Sequence, residues 1–256
     1  MARRPRVDLA GYHHIMNRGV ARGNVYNCRS DKDKFLEILC KACKEYKANV
    51  HDYCLMDNHY HLLIETKQEN LSLLMRQINS NYASYFNKKY KRVGHLWQGR
   101  YKSWYIVQDE YLYMLLRYIE FNPIKAKMTS CVGEYEHSLA HSIINNKFIP
   151  CVEHSMLIKE FTSETMVDFL GLQLSEDELA RLENEQKRII TVEEEKLSIS
   201  KSKPLDEHFY ECELKEARND AMLDAYRDGY TQSSIAKYLG VSAGLVSMII
   251  KEKIED

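Results

Sequence analysis

The sequence predicts an α+β fold, an antiparallel sheet with helices followed by a helical C-terminal region. Three observations predict it. Strand-like and helix-like periods alternate through the first half of the chain, two strand-like runs are joined by only Asp57-Asn58, and a separate, purely helical pattern occupies residues 232–250.

Taken in order, Tyr12-His13-His14-Ile15-Met16-Asn17 reads as a strand ending at Arg18-Gly19. Residues 31–48 follow as an amphipathic helix with Phe35, Leu36, Leu39 and Ala42 on one side. Residues 50–56 and 59–66 form a strand pair, because the short polar side chains of Asp57 and Asn58 tolerate turn dihedrals. Leu71, Leu74, Ile78 and Tyr85 mark a second helix running to about residue 91, and residues 101–107 have the aromatic and β-branched content of a strand. Asp109 is the expected N-cap of a helix over 110–121. Pro123 is expected to close it, since the residue before a proline, here Asn122, is biased away from helix. The order βαββαβ plus a further helix is the split, ferredoxin-like pattern, with a four-stranded antiparallel sheet, helices on one face and the other face available for a site.

Residues 134–202 are mixed and acidic. Ser175 followed by Glu178 is a capping box opening a helix to residue 187, whereas Glu193-Glu194-Glu195 and residues 198–204 read as a linker. In the run 232–250, Ala236 permits close helix approach, Gly240 suits a left-handed turn, and Ser242 caps a second helix that buries Val246 and Ile249. That spacing is the helix-turn-helix. The expected division is a domain over 1–150, an acidic helical connector over 151–207 and a helix-turn-helix domain over 208–256.

With 45% hydrophobic and 29% charged residues the 256-residue chain has a globular composition. No apolar stretch approaches the roughly 18 to 20 residues of a membrane span, and the basic start Met1-Ala2-Arg3-Arg4-Pro5-Arg6 lacks the apolar segment of a signal peptide. The expectation is a cytoplasmic protein with no membrane partner. Seven scattered cysteines point to reduced thiols, and Cys40-Lys41-Ala42-Cys43 lacks the second pair of a zinc site. Charge is unevenly shared: residues 1–130 hold 22 Lys and Arg against 12 Asp and Glu, and the remainder holds 14 against 25. The first half is therefore a candidate binder of a polyanion such as nucleic acid.

His59-Tyr60-His61 lies in the second strand of the pair. Strand faces alternate, so both imidazoles project to one side about 7 Å apart, a spacing able to grip one cation, with Tyr60 pointing away. Two satisfied polar residues on a half-exposed sheet face would show the same pattern. On the later helix Tyr118 and Asn122 form an i, i+4 pair offset from the apolar stripe of Leu112, Leu115 and Ile119. They fit a nucleophile and a third ligand, and Tyr118 also fits an ordinary packing aromatic. Between them, Gly94-His95-Leu96-Trp97-Gln98-Gly99-Arg100-Tyr101-Lys102-Ser103-Trp104 interleaves aromatics with cations, as single-strand binding requires; an exposed sheet edge is the alternative. His13-His14 can approach the site, though a structural role suits the pair better.

Three blocks in order, Met56-Asp57-Asn58-His59-Tyr60-His61-Leu62-Leu63-Ile64, the run 94–102, and Arg117-Tyr118-Ile119-Glu120-Phe121-Asn122-Pro123-Ile124-Lys125-Ala126, resemble the REP-associated tyrosine transposases, single-tyrosine HUH transposases of bacterial insertion sequences. The resemblance covers roughly residues 6–145. It implies that His59, His61 and Asn122 hold Mg²⁺ or Mn²⁺ and that Tyr118 attacks DNA. It further implies a single-stranded, REP-like hairpin substrate, nicked and rejoined through a 5′-phosphotyrosine. Arg18, His95, Trp97, Gln98, Arg100 and Lys102 are the candidate contacts to that DNA. In the C-terminal segment Lys237, Ser242 and Ser247, with Lys251, are the candidate contacts to duplex DNA. Residues 208–256 hold six Lys and Arg against nine Asp and Glu, so protein interaction or autoinhibition stays open for that segment. The alternative to an enzyme is a domesticated, non-cleaving DNA-binding regulator on the same fold.

Overall fold

Alternating strands with one face rich in Leu, Ile and Tyr and the other carrying His and Cys need a helix layer on each side, and the chain supplies both. The computed structural model describes residues 7–107, 109–187, 189–193, 196–200, 203–210, 212, 215–228, 230 and 232–255. The chain divides into two compact units, one ending at Leu182 and one beginning at Glu183.

In the first unit the order is β1 (Gly11–Arg18), α1 (Arg29–Tyr46), β2 (Ala48–Met56), β3 (His59–Thr66), α2 (Leu71–Lys89), β4 (Lys102–Ile106) and α3 (Asp109–Lys125). The sheet is antiparallel throughout in the order β2-β3-β1-β4, as the βαββαβ pattern predicts. One face is backed by α1 and α2. Tyr60 is fully buried there, its ring 4.9 Å from Phe35 of α1 and its hydroxyl donating to Asn79 Oδ1 of α2 at 2.9 Å. Phe35 also meets Tyr26 and Tyr82, at 5.7 and 5.2 Å between ring centroids, so an aromatic box forms the centre of this layer.

The opposite face carries His14, Met16 and Arg18 of β1, which pair with Leu63, His61 and His59 of β3. Here α3 packs. Pro123 does not end this helix as expected; it lies inside it. Proline removes the N–H that would reach Ile119 O, and the Asn122 side chain compensates, its Nδ2 donating to Tyr118 O at 2.8 Å and Ile119 O at 3.3 Å. The cap expected of Asp109 lies outside the described side chains.

The unit also runs past residue 150, where a boundary was expected. A 3-10 turn at Pro150–Val152, α4 (Leu139–Ile144), α5 (Met156–Glu160), α6 (Ser163–Gly171) and α7 (Glu176–Lys187) follow. Val152, Leu157, Met166, Leu170 and Leu182 are buried in the same core as the sheet, so apolar burial continues across the supposed connector. The capping box of α7 forms as read, with Ser175 N–H donating to Glu178 Oε2 at 2.9 Å and Glu178 N–H to Ser175 Oγ at 3.2 Å. Cys40 is not a free thiol: it is disulfide-bonded to Cys151, because the 3-10 turn rests against α1 and brings the two Cα atoms to 4.9 Å. Such a bond is open in a reducing compartment.

In the second unit, part of the expected linker is instead a hairpin of β5 (Ile189–Glu193) and β6 (Lys196–Ser200). Its strand content follows from β-branched Ile189, Ile190, Thr191, Val192 and Ile199, which outweigh the acidic run beside them. Then α8 (Leu205–His208), α9 (Lys215–Arg227), α10 (Gln232–Leu239) and α11 (Ala243–Glu255) surround a small core that includes Met222, Ile235, Val246 and Ile250. Gly240 turns the chain between α10 and α11 at φ +67°, and Ser242 Oγ accepts Leu245 N–H at 3.2 Å as the cap of α11. Among the described residues no helix is long and apolar enough to cross a membrane.

Candidate functional site

The central strands present His59 and His61 on the α3 face, with ring centroids 5.2 Å apart, and Tyr118 of α3 stands edge-on 5.9 Å from His61. A histidine of β3 thus meets a tyrosine from a separate element. His59 Nδ1 lies 2.6 Å from Asn58 Oδ1; the amide oxygen only accepts, so the ring proton is on Nδ1 and Nε2 keeps its lone pair. His61 Nδ1 faces His14 Nε2 at 3.1 Å, the two sharing one proton. With that proton on His61, its Nε2 too has a free lone pair, which is how a second histidine orients a metal-binding one.

All three imidazoles are neutral at neutral pH. Burial pushes His14 down to about 3 and, with the Arg18 charge added, His59 down to about 4. Burial first, then His14, His59 and Arg18, holds His61 well below the ordinary histidine value. Neutral imidazoles are the form that ligates a cation. Among the described residues no three His, Cys, Asp or Glu side chains converge as a metal cluster. The two histidines offer two nitrogen donors, and a neutral oxygen such as that of an amide can complete such a set. Asn122 sits one turn beyond Tyr118 with Nδ2 turned onto its own helix, which leaves Oδ1 as its donor atom.

Arg18, Gln98, Arg100 and Lys102 converge around a cavity of about 320 Å³ with Met16, Asn17 and Gly99. Gln98 N–H donates to Arg18 O at 2.9 Å, and Arg18 is the cross-strand partner of His59, so this basic cavity adjoins the histidines. Trp97 is not exposed as a stacking platform. Its indole N–H donates to Asn79 O at 3.0 Å and its ring packs on Tyr60 and Tyr82, because bulk in the turn before β4 is needed to close the helix layer. His95 is exposed in the same turn. Lys237 is exposed on α10, Ser242 is engaged as a cap and Ser247 is half-buried on α11.

The family model of IS200-like transposases matches residues 9–122. This segment is therefore similar to the IS200-like transposases. The transposase-type segment begins just before β1 and ends on Asn122, so it contains the whole sheet, both histidines and Tyr118. None of the curated proteins matches. Among solved structures, the chain is similar to a REP-associated tyrosine transposase bound to a REP hairpin, at 15% identity and TM-score 0.48 over 68% of this chain and 99% of that one. It is also similar to a proposed transposase from Deinococcus radiodurans R1, at 18% identity and TM-score 0.34 over 47% and 96%. A third likeness is to tRNA(His) guanylyltransferase from Saccharomyces cerevisiae, at 12% identity and TM-score 0.33 over 69% and 77%.

Three further arrangements in this unit depend on contacts between distant segments. His14, which the sequence allowed to approach the site, is the partner of His61 and lies tilted against Trp104 at 5.0 Å between ring centroids, on the face of β1 that carries Met16 and Arg18. Arg117, beside Tyr118, pairs with Glu178 of α7, whose position no local pattern announces. Asp52 of β2 and Glu120 of α3 form a buried carboxyl pair, 0% and 2% exposed, with Ala140 N–H donating to Glu120 Oε1 at 2.7 Å.

Two neighbouring carboxyls buried in an apolar layer disfavour their charged forms. Burial raises both, Asp52 well above the carboxylate range with Glu120 adding to it, and Glu120 up to about 7. Raised folded values mean that the pair stabilises fully below the unfolded carboxyl range and that this contribution is lost as pH rises through 7. Over the window from about pH 4.5 to 7 the slope is about 1.4 kcal/mol per pH unit for one proton. Glu120→Gln is expected to remove the share of that slope that Glu120 contributes while the buried Asp52 keeps its own, read from urea unfolding at a series of pH values. Identical pH dependence in the variant and the parent would contradict a buried, protonated Glu120.

Proposed function

We propose that the chain nicks and rejoins single-stranded DNA through Tyr118. The single observation carrying this reading is the edge-on contact of Tyr118 with His61, beside an imidazole pair whose hydrogen bonds suit it to a cation. His59 and His61 through Nε2, and Asn122 through Oδ1, would hold Mg²⁺ or Mn²⁺. Such an ion supplies Lewis-acid polarisation of a phosphoryl oxygen.

The residues of the chain do the rest. The Tyr118 oxygen attacks phosphorus, its bond to phosphorus forms as the bond to the 3′ oxygen breaks, and the released 3′-hydroxyl takes up a proton. The strand is left with its 5′-phosphate on Tyr118. Attack by a second 3′-hydroxyl reverses the step, so joining needs no nucleotide cofactor. Arg18, Gln98, Arg100 and Lys102 line the cavity beside the histidines and are suited to a DNA hairpin, their cations to its phosphates. Enzyme rather than non-cleaving regulator is favoured by the tyrosine's placement, since a regulator has no use for a hydroxyl beside two lone-pair nitrogens. The α10–α11 pair is assigned to duplex DNA through Lys237 and Ser247; Ser242 serves as cap.

A labelled library of single-stranded hairpins incubated with Mn²⁺ and resolved on a denaturing gel is expected to show a covalent adduct. Chelation, or His59→Ala, reduces it about a hundredfold or more while hairpin binding persists. An adduct indifferent to both would overturn the metal assignment. A hairpin-free duplex bound by the full chain in a salt-dependent manner checks the C-terminal assignment, and no such binding removes it.

A further inference from the structure

A second cavity, of about 280 Å³, opens beside the nucleophile between α3 and the segment leading into α7. Tyr118, Phe121, Asn122 and Lys125 line it from the helix, and Gln173, Leu174 and Leu179 from the other side. The far wall is held in place: Arg117 pairs with Glu178, Tyr111 donates to Leu182 O at 3.5 Å, and the Ser175 and Glu178 capping box fixes the turn between them. Leu174 is buried, while Leu179 is 37% exposed and leaves apolar surface facing water. The volume is near the lower end of the roughly 300–1,000 Å³ of ligand pockets, room for one flat ring rather than a longer segment.

We propose that this pocket receives a single nucleobase of the strand that Tyr118 cuts, the one beside the scissile phosphate. The inference rests on the nicking role of Tyr118 and goes beyond it by naming what selects the cut position. Its chemistry is that of an unstacked base: Phe121 and the two leucines offer apolar faces to the ring, and the Gln173 carboxamide offers a donor and an acceptor together for one base edge. Asn122 cannot do the same, since its Nδ2 is engaged with the helix carbonyls. Lys125 is exposed on the helix side of the cavity, where the adjoining phosphate of a base so seated would find a cation. Gln173 and both leucines lie outside the segment of transposase type, so base choice here is a property of the following 50 or so residues.

The test uses the full chain with Mn²⁺ and hairpin substrates carrying each of the four bases, or an abasic site, beside the cut. The parent is expected to prefer one base by about 5- to 150-fold in adduct rate, the range of one bidentate amide contact. Gln173→Ala flattens that preference to within about twofold, and hairpin affinity, set by the Arg18 and Arg100 cavity, is unchanged. Leu179→Trp fills the pocket; it slows every substrate with a base about tenfold or more and leaves the abasic substrate at the parental rate. Both positions are solvent-accessible, and unchanged thermal melting shows that each variant folds. Parental base preference in Gln173→Ala, or parental rates in Leu179→Trp, overturn the pocket while leaving the nicking role intact. No adduct from the parent on any substrate overturns both.

Discussion

Tyr118→Phe is expected to abolish the covalent protein–DNA adduct, by roughly a thousandfold or more, because the phenolic oxygen is the atom that bonds to phosphorus. The ring stays where it is. Its T-shaped ring contacts with His14 at 6.1 Å and His61 at 5.9 Å are contacts of the aromatic ring, which phenylalanine keeps, so the sheet face and the histidine pair are expected to be retained. Loss of one hydroxyl alters stability by about 1 kcal/mol. Hairpin affinity therefore remains near that of the parent, measured by gel shift beside the adduct assay. An undiminished adduct in the variant would mean that another side chain is the nucleophile.

Phe35→Ala is expected to be the most damaging change away from the site, costing about 3–5 kcal/mol of a total that for most domains is about 5–15 kcal/mol. Phe35 is fully buried and touches Tyr26, Tyr60 and Tyr82 at once, so a cavity there cannot collapse without moving two helices and a central strand. Tyr60 is the residue between His59 and His61, and Phe35 backs it from the opposite side of the sheet. Loosening that contact frees the strand that presents both imidazoles. Urea unfolding measures the loss, and a change below about 1 kcal/mol would show that the box repacks around the missing ring.

Local pattern reached far into this fold because its signals are local. Apolar periods mark β1 to α3, the Asp57-Asn58 turn sets one register, and strand alternation alone sends Tyr60 to the helices and the histidines to the opposite face. Where it fell short, a distant group decided. Pro123 stayed helical because a side-chain amide replaced the missing N–H, an exchange that proline's local bias does not include. Trp97 looked like an exposed platform beside cations, and the carbonyl of Asn79 and the rings of Tyr60 and Tyr82 took it instead. The thiol of Cys40 acquired a partner 111 residues away.

By itself, then, the sequence determined the order of elements from β1 to α3, the face on which His59 and His61 lie, and the candidate nucleophile one helical turn before Asn122. Those follow from periods of two and 3.6 residues, which need no knowledge of what packs where. Only the tertiary structure decided that Tyr118 stands against His61, that His14 shares its proton, and that Gln173, Leu174 and Leu179 wall a cavity beside the tyrosine. Contacts between segments far apart in sequence are set by how whole layers bury their apolar faces, and no local spacing records that.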